Sequence, residues 1–175
     1  DIISSSMIPR LERGIVPNRA DIIRDARQLV EAQLAFALGN RMREPGMTKK
    51  RAGKNFAALY PVEYGTGISQ EELDQAWQDI ENALHKLFEM PDLLSLLQRA
   101  NRLIAQRPLT FTCHEVQARM VPDLIAFYNY EAPLIVDWKV QSVGTYDARL
   151  QLASYALALI GCNPHSDFPQ LLRRY

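Results

Sequence analysis

Val121-Pro-Asp-Leu-Ile-Ala-Phe-Tyr128, a five-residue connection and then Leu134-Ile-Val-Asp-Trp-Lys-Val140 decide how this chain is read. Both segments are short, β-branched and aromatic, and the connection Asn129-Tyr130-Glu131-Ala132-Pro133 is of turn length, so they read as neighbouring strands of one sheet. Alternation puts Ile135, Asp137 and Lys139 on one face and Leu134, Val136, Trp138 and Val140 on the other. If the first strand folds back about Glu131, Asp123 falls opposite Lys139; a two-residue shift sets it opposite Asp137. Either register keeps the three polar groups on one face, because an even slip preserves the pleat. Two carboxylates and an ammonium then meet in a half-apolar sheet, where unpartnered charge costs several kcal/mol each. A hard divalent cation resolves that cost: Asp123 and Asp137 can bind Mg²⁺ or Mn²⁺ with water filling the remaining positions.

Outward from this pair, a third strand is expected over Leu109 to Val116, followed after Gly144 by a helix with Leu150, Ala153, Leu157 and Ile160 on one stripe and Gly161 as its stop. Upstream the period is helical. Ile22, Ile23, Leu29, Val30, Leu34 and Leu38 give a helix from about Arg19 to Leu38, ended by Gly39-Asn40. Residues 41–67, with their Pro and Gly, read as irregular chain holding a short apolar turn at 56–60. Ser69 with Glu71 and Glu72 caps a helix running to Phe88, and a further helix is expected from Asp92 to Gln106. The expected architecture is a single α/β domain over 1–175: residues 1–107 mostly helical, and 108–161 a mixed sheet with the helix that completes the site. A fourth strand can come from the C-terminal residues.

Composition bounds the function. At 175 residues, 47% hydrophobic and 23% charged, the chain can bury a core without a metal or disulfide staple. Two cysteines, Cys113 and Cys162, cannot form a four-thiolate cage and suit a reduced, cytoplasmic setting. No apolar stretch approaches the roughly 20 residues that span a bilayer, and the first ten residues carry no basic segment leading into an apolar one, so neither a membrane nor export is expected. Lys plus Arg and Asp plus Glu are 20 each. The charge is nonetheless polarised: residues 41–54 hold six cations against Glu44, whereas 63–81 hold six acids and no cation. Lys49, Lys50, Arg51 and Lys54 are the candidate contacts to a phosphate backbone.

Pro122-Asp123, thirteen intervening residues and Asp137-Trp138-Lys139 resemble the PD-(D/E)XK nuclease superfamily, and Gln151-Leu-Ala-Ser-Tyr155 is similar to the QxxxY element of its RecB-like branch. Helical spacing sets Gln151 and Tyr155 on one face. The resemblance implies a restriction-endonuclease-like core and a metal-dependent nuclease acting on DNA in repair or defence. Asp123, Asp137 and the backbone carbonyl of Trp138 would hold Mg²⁺ or Mn²⁺. Lys139 would orient or deprotonate the attacking water or neutralise developing charge, Gln151 would bond that water or a phosphate, and Tyr155 would pack beside the scissile nucleotide. Glu115 is the candidate for a further metal ligand, with His114 behind it. The family's early histidine has no clear counterpart; Glu31 and His85 are the helical choices. Two other readings stand beside this one: a catalytically inactive nucleic-acid-binding or protein-interaction module of the same fold within a larger assembly, and a plain α/β domain in which Asp137 and Lys139 form an exposed ion pair far from Asp123.

Overall fold

Asn18 starts the first long helix by accepting a hydrogen bond from the Ala20 N–H at 2.8 Å. The computed structural model describes residues 2–139 and 144–169, and the chain divides into two units, Asp1–Met90 and Pro91–Tyr175. The first is helical among its described residues. A π-helical turn at Ile3–Met7 leads into α1 (Ile8–Glu12), and α2 (Arg19–Leu38) keeps the expected bounds. After a 3-10 turn at Arg41–Arg43, the stretch read as irregular folds into two single-turn helices, α3 (Lys49–Ala52) and α4 (Tyr60–Glu63). Ser69 and Glu72 form a reciprocal capping box at the start of α5 (Gln70–Phe88). Met7, Ile8, Leu11, Ile22, Ala26, Leu84 and Leu87 are buried. Ser6 and Arg10 both reach Asp25 on α2, at 2.5 and 2.7 Å, and the Arg27 guanidinium lies 4.5 Å over the Trp77 ring.

In the second unit α6 (Pro91–Gln98) ends eight residues before the expected Gln106. Residues placed in that helix instead form β1 (Arg102–Ala105). The reason lies in β4 (Leu124–Phe127), all four of whose residues are buried. A strand so enclosed needs ladder partners on both edges for its backbone polar groups. β1 supplies one edge, with Ile104 opposite Ile125, and β5 (Leu134–Val136) the other, with Ile135 opposite Ile125. The order is β1-β4-β5, antiparallel throughout.

The expected strand over Leu109 to Val116 is corrected as well. It breaks into β2 (Leu109–Cys113) and β3 (Val116–Met120), a hairpin forming its own two-stranded antiparallel sheet. Both sheets are antiparallel among the described residues, so the expected mixed sheet is not found there. The described part of the C-terminal residues, 162–169, holds no fourth strand; 170–175 lie outside the described residues, as does Val140. Helix α7 (Thr145–Gly161) packs against β2 and β3 and reaches β5. Gly161 belongs to the helix rather than following it, and a Cβ there would stand 3.3 Å from the Phe111 side chain, so the close approach of helix and hairpin depends on glycine. Ile104, Leu109, Ile125, Phe127, Ala158, Cys162 and Phe168 form the core between sheet, hairpin and α7; each large side chain in it contributes roughly 1.5–3 kcal/mol by burial. The stripe expected to face this core is turned outward: Leu150, Leu157 and Ile160 are exposed, and Tyr155 and Ala158 are buried instead.

His114 and Glu115 form the two-residue turn between β2 and β3, both with positive φ, 45° and 69°. Such turns favour Asn-Gly because a Cβ is strained there. Glu115→Gly is therefore expected to stabilise the chain by about 0.5–1 kcal/mol, read as a rise of a few degrees in the thermal midpoint; a fall would show that the Glu115 side chain makes a contact that outweighs the strain.

Candidate functional site

Asp123 is fixed by the strands on both sides of it. Its carbonyl accepts the Gln106 N–H at 3.0 Å, from beyond the end of β1, and its carboxylate Oδ2 accepts the Trp138 N–H at 2.8 Å, from beyond the end of β5. The register that pairs Leu124 with Val136, carried one step further, sets Asp123 against Asp137. Of the two registers open from sequence, the shifted one is present. Ile125 and Ile135 share a face with these two acids by alternation, and Ile125 packs in the core with Ala158 of α7. The acids accordingly lie on the side of the sheet that α7 covers.

Helix α7 meets them with Gln151 and Tyr155. The Tyr155 hydroxyl donates to Asp137 Oδ1 at 3.2 Å, and Gln151 Nε2 donates to the Tyr155 oxygen at 2.7 Å and stands 3.5 Å from Asp137 Oδ1. Lys139 Nζ is 2.5 Å from Asp137 Oδ2. The Asp137 side chain retains 8% of its accessible surface and that of Lys139 35%. The five residues named from the sequence thus converge, and the plain exposed ion pair, which required both side chains in solvent and Asp123 at a distance, does not describe them.

Among the described residues the cluster sets two carboxylates against one ammonium. Burial raises the pKa of Asp123 above the ordinary carboxylate value, opposed by the Trp138 N–H and reinforced by the neighbouring Asp137. The Lys139 ammonium is held protonated above its usual range, chiefly by its bond to Asp137. Tyr155 is raised by burial, so its hydroxyl keeps its proton and acts as a donor.

Other named residues lie elsewhere. Glu115 and His114 sit exposed at the tip of the hairpin, in a different sheet from Asp123. No group of three or more His, Cys, Asp or Glu side chains suited to a metal is present among the described residues, so Glu115 does not join Asp123 and Asp137. Its expected place on a strand failed because His-Glu gives no turn signal. Glu31 and His85 lie in the other unit, on α2 and α5. For the basic stretch, Lys49 donates to the carbonyls of Lys54 and Phe56, Arg51 to that of Gly46, and Lys54 to Ser4 Oγ. Arg41 and Arg43 pair with Glu44 and Glu63. Lys49, Lys50, Arg51 and Lys54 are left without a carboxylate partner among the described residues. One feature had no sequence signal at all: Ser5, Ser6, Arg10, Arg13 and Asp25, from two segments of the first unit, line an open cavity of about 510 Å³. There the Ser6 hydroxyl, first, and then Arg10 hold the Asp25 carboxyl below its usual range. No helix among the described residues is long and apolar enough to cross a membrane.

A carboxyl whose pKa is higher in the fold than in the unfolded chain binds its proton more tightly when folded, so Asp123 contributes less stability as pH rises through that range. Asp123→Asn keeps an acceptor for the Trp138 N–H and removes the charge. In metal-free buffer near pH 8 it is expected to raise the thermal midpoint by a few degrees, with the gain shrinking as pH falls through the raised folded-state value toward the ordinary carboxylate one; an unchanged or lower midpoint at pH 8 contradicts this. Set against protein-family models, curated proteins and solved structures, the chain matches none of them, and the reading of this site rests on its own residues.

Proposed function

We propose that the chain is a metal-dependent nuclease hydrolysing DNA phosphodiester bonds. The observation that carries the reading is the nearly buried Asp137 carboxylate placed beside Asp123, with Lys139 as the cation against both among the described residues. Setting two acids against one base leaves an excess of negative charge that no described residue neutralises, and charge drawn out of water without a partner is costly. Structural economy would replace such a group by apolar side chains; a site for a cation would keep it. The resemblance of Pro122-Asp123, Asp137-Trp138-Lys139 and Gln151 to Tyr155 to the PD-(D/E)XK superfamily supports the same reading, as does the order of strand, strand and helix that carries them.

The donor set fits Mg²⁺ or Mn²⁺: two hard carboxylate oxygens, with the Trp138 carbonyl as the third protein ligand and water or phosphate completing the shell. When bound, the ion supplies acidification of a water and neutralisation of charge on a phosphoryl oxygen. The residues of the chain do the rest. Lys139, bonded to Asp137, is placed so that its ammonium opposes the charge that develops on the phosphorane oxygens. Gln151, reaching from α7, orients the attacking water by hydrogen bonding. Tyr155 holds Asp137 in place through its hydroxyl. Lys49, Lys50, Arg51 and Lys54 contribute unneutralised charge for backbone phosphates, which fixes position and carries no sequence information.

A second reading, a catalytically inactive nucleic-acid-binding or protein-interaction module, draws on a different observation. Both oxygens of Asp137 already have partners in the protein, Tyr155 and Gln151 on one and Lys139 on the other. Cleavage of labelled single- and double-stranded DNA with Mg²⁺, Mn²⁺ or EDTA separates the two. The expected result is metal-dependent cutting that falls by about 10²–10³-fold or more in Asp137→Ala and Lys139→Ala with folding intact. Absence of cutting by the wild type with either metal would overturn the nuclease in favour of the inactive module. For binding, Lys50→Glu is expected to weaken affinity for all sequences alike and to flatten the salt dependence by about one unit of log–log slope; an unchanged slope would remove Lys50 from the interface.

A further inference from the structure

The side of α7 turned away from the core is itself apolar. Tyr146, Leu150, Ala153, Leu157 and Ile160 follow one another at spacings of four, three, four and three residues, the rhythm of a coiled-coil seam. At about 100° per residue they fall on one narrow stripe, diametrically opposite Tyr155. Tyr146 is 77% exposed, Leu150 57%, Leu157 62% and Ile160 83%; Ala153 is exposed too. The five residues are uncharged, with the exposed Arg149 at the edge of the stripe.

Its order says what covers it. Read from either end the stripe runs large, large, small, large, large, with Ala153 at the centre. A symmetric contact between two copies requires that if residue i meets j, then j meets i. A two-fold axis beside Ala153 meets that condition: Leu150 of one copy packs against Leu157 of the other, Tyr146 against Ile160, and the two alanines let the helix backbones come close. A foreign helix would impose no such palindrome. The area agrees as well. The stripe offers on the order of 500 Å² of apolar surface, toward the upper end of what a monomer leaves open, and two copies covering it fully bury about 1,000 Å², the lower limit of a specific interface. We propose that the outer face of α7 is a self-association surface on which a second copy of the chain lays its own α7 antiparallel, about a two-fold axis at Ala153. Gln151 and Tyr155 lie on the far side of each helix, so the pairing leaves both clusters around Asp137 free of the seam. The inference is independent of the nuclease reading.

Sedimentation equilibrium of the 175-residue chain up to about 200 µM is expected to show a reversible monomer–dimer equilibrium, with the dissociation constant raised at least about tenfold in Leu157→Glu. Ile160→Glu, at the most exposed position, gives the same readout should Leu157→Glu fail to fold, with helix content followed by circular dichroism. Cysteine cross-linking reads the direction. Under mild oxidation Ala153→Cys is expected to form an interchain disulfide that the unsubstituted chain, with its own Cys113 and Cys162, does not form, whereas Leu150→Cys, which faces Leu157 and not itself, is expected to remain uncoupled. A monomer at every concentration, a dimer indifferent to both glutamates, or cross-linking of Leu150→Cys as readily as Ala153→Cys would overturn the proposal.

Discussion

The antiparallel register that sets Leu124 against Val136 governs the rest of the second unit. With that alignment the apolar residues of β4 divide between the two faces of the sheet, and Ile125 and Phe127 share a core with Ala158 of α7 and Cys162 just past its end. One residue beyond the ladder, the same alignment brings Asp123 and Asp137 face to face. A slip of β5 by one residue would exchange its faces, sending Asp137 away from Asp123 and α7 and turning Ile135 to the other side of the sheet. Packing and site geometry are therefore consequences of one constraint, and the hydrophobic core enforces the position of the charges.

The charges in turn shape their surroundings. Asp137 is buried to 8% exposure, and three donors converge on it from two elements: Lys139 two residues along its own strand direction, and Tyr155 and Gln151 one turn apart on α7. These bonds tie α7 to the end of β5 as well as serving any chemistry there. Asp123 is less well compensated, with the Trp138 N–H and the charge of Lys139 against burial and a neighbouring carboxylate. Such unequal treatment of two adjacent acids is common where a site binds or turns over a charged ligand, and uncommon where polar groups merely complete a core.

The parts of this arrangement written locally were legible in the sequence. Arg19 to Leu38 could be bounded because Asn18 and Gly39 punctuate it, and Ser69 with Glu72 announces its helix through a cap that needs no tertiary partner. The faces of Asp123, Asp137 and Lys139 followed from the period of two, and those of Gln151 and Tyr155 from helical spacing. What failed was decided at a distance. Arg102–Ala105 continues an apolar run that suits a helix as well as a strand, and becomes a strand because the second edge of β4 has to be paired. The hairpin at His114-Glu115 was invisible since neither residue favours positive φ. On α7 the two sides are comparably apolar, so periodicity alone selected the exposed stripe and not the buried one.

Binding of a divalent cation by the metal-free protein tests the central claim, that the two facing carboxylates are a cation site, before any question of turnover. Titration of Mn²⁺ followed by electron paramagnetic resonance, in the wild type and in Asp137→Asn, reads it directly. The account predicts bound Mn²⁺ that Mg²⁺ displaces and that Asp137→Asn loses while the fold is kept. Equal binding by the wild type and the variant, or none by either at millimolar metal, would contradict it.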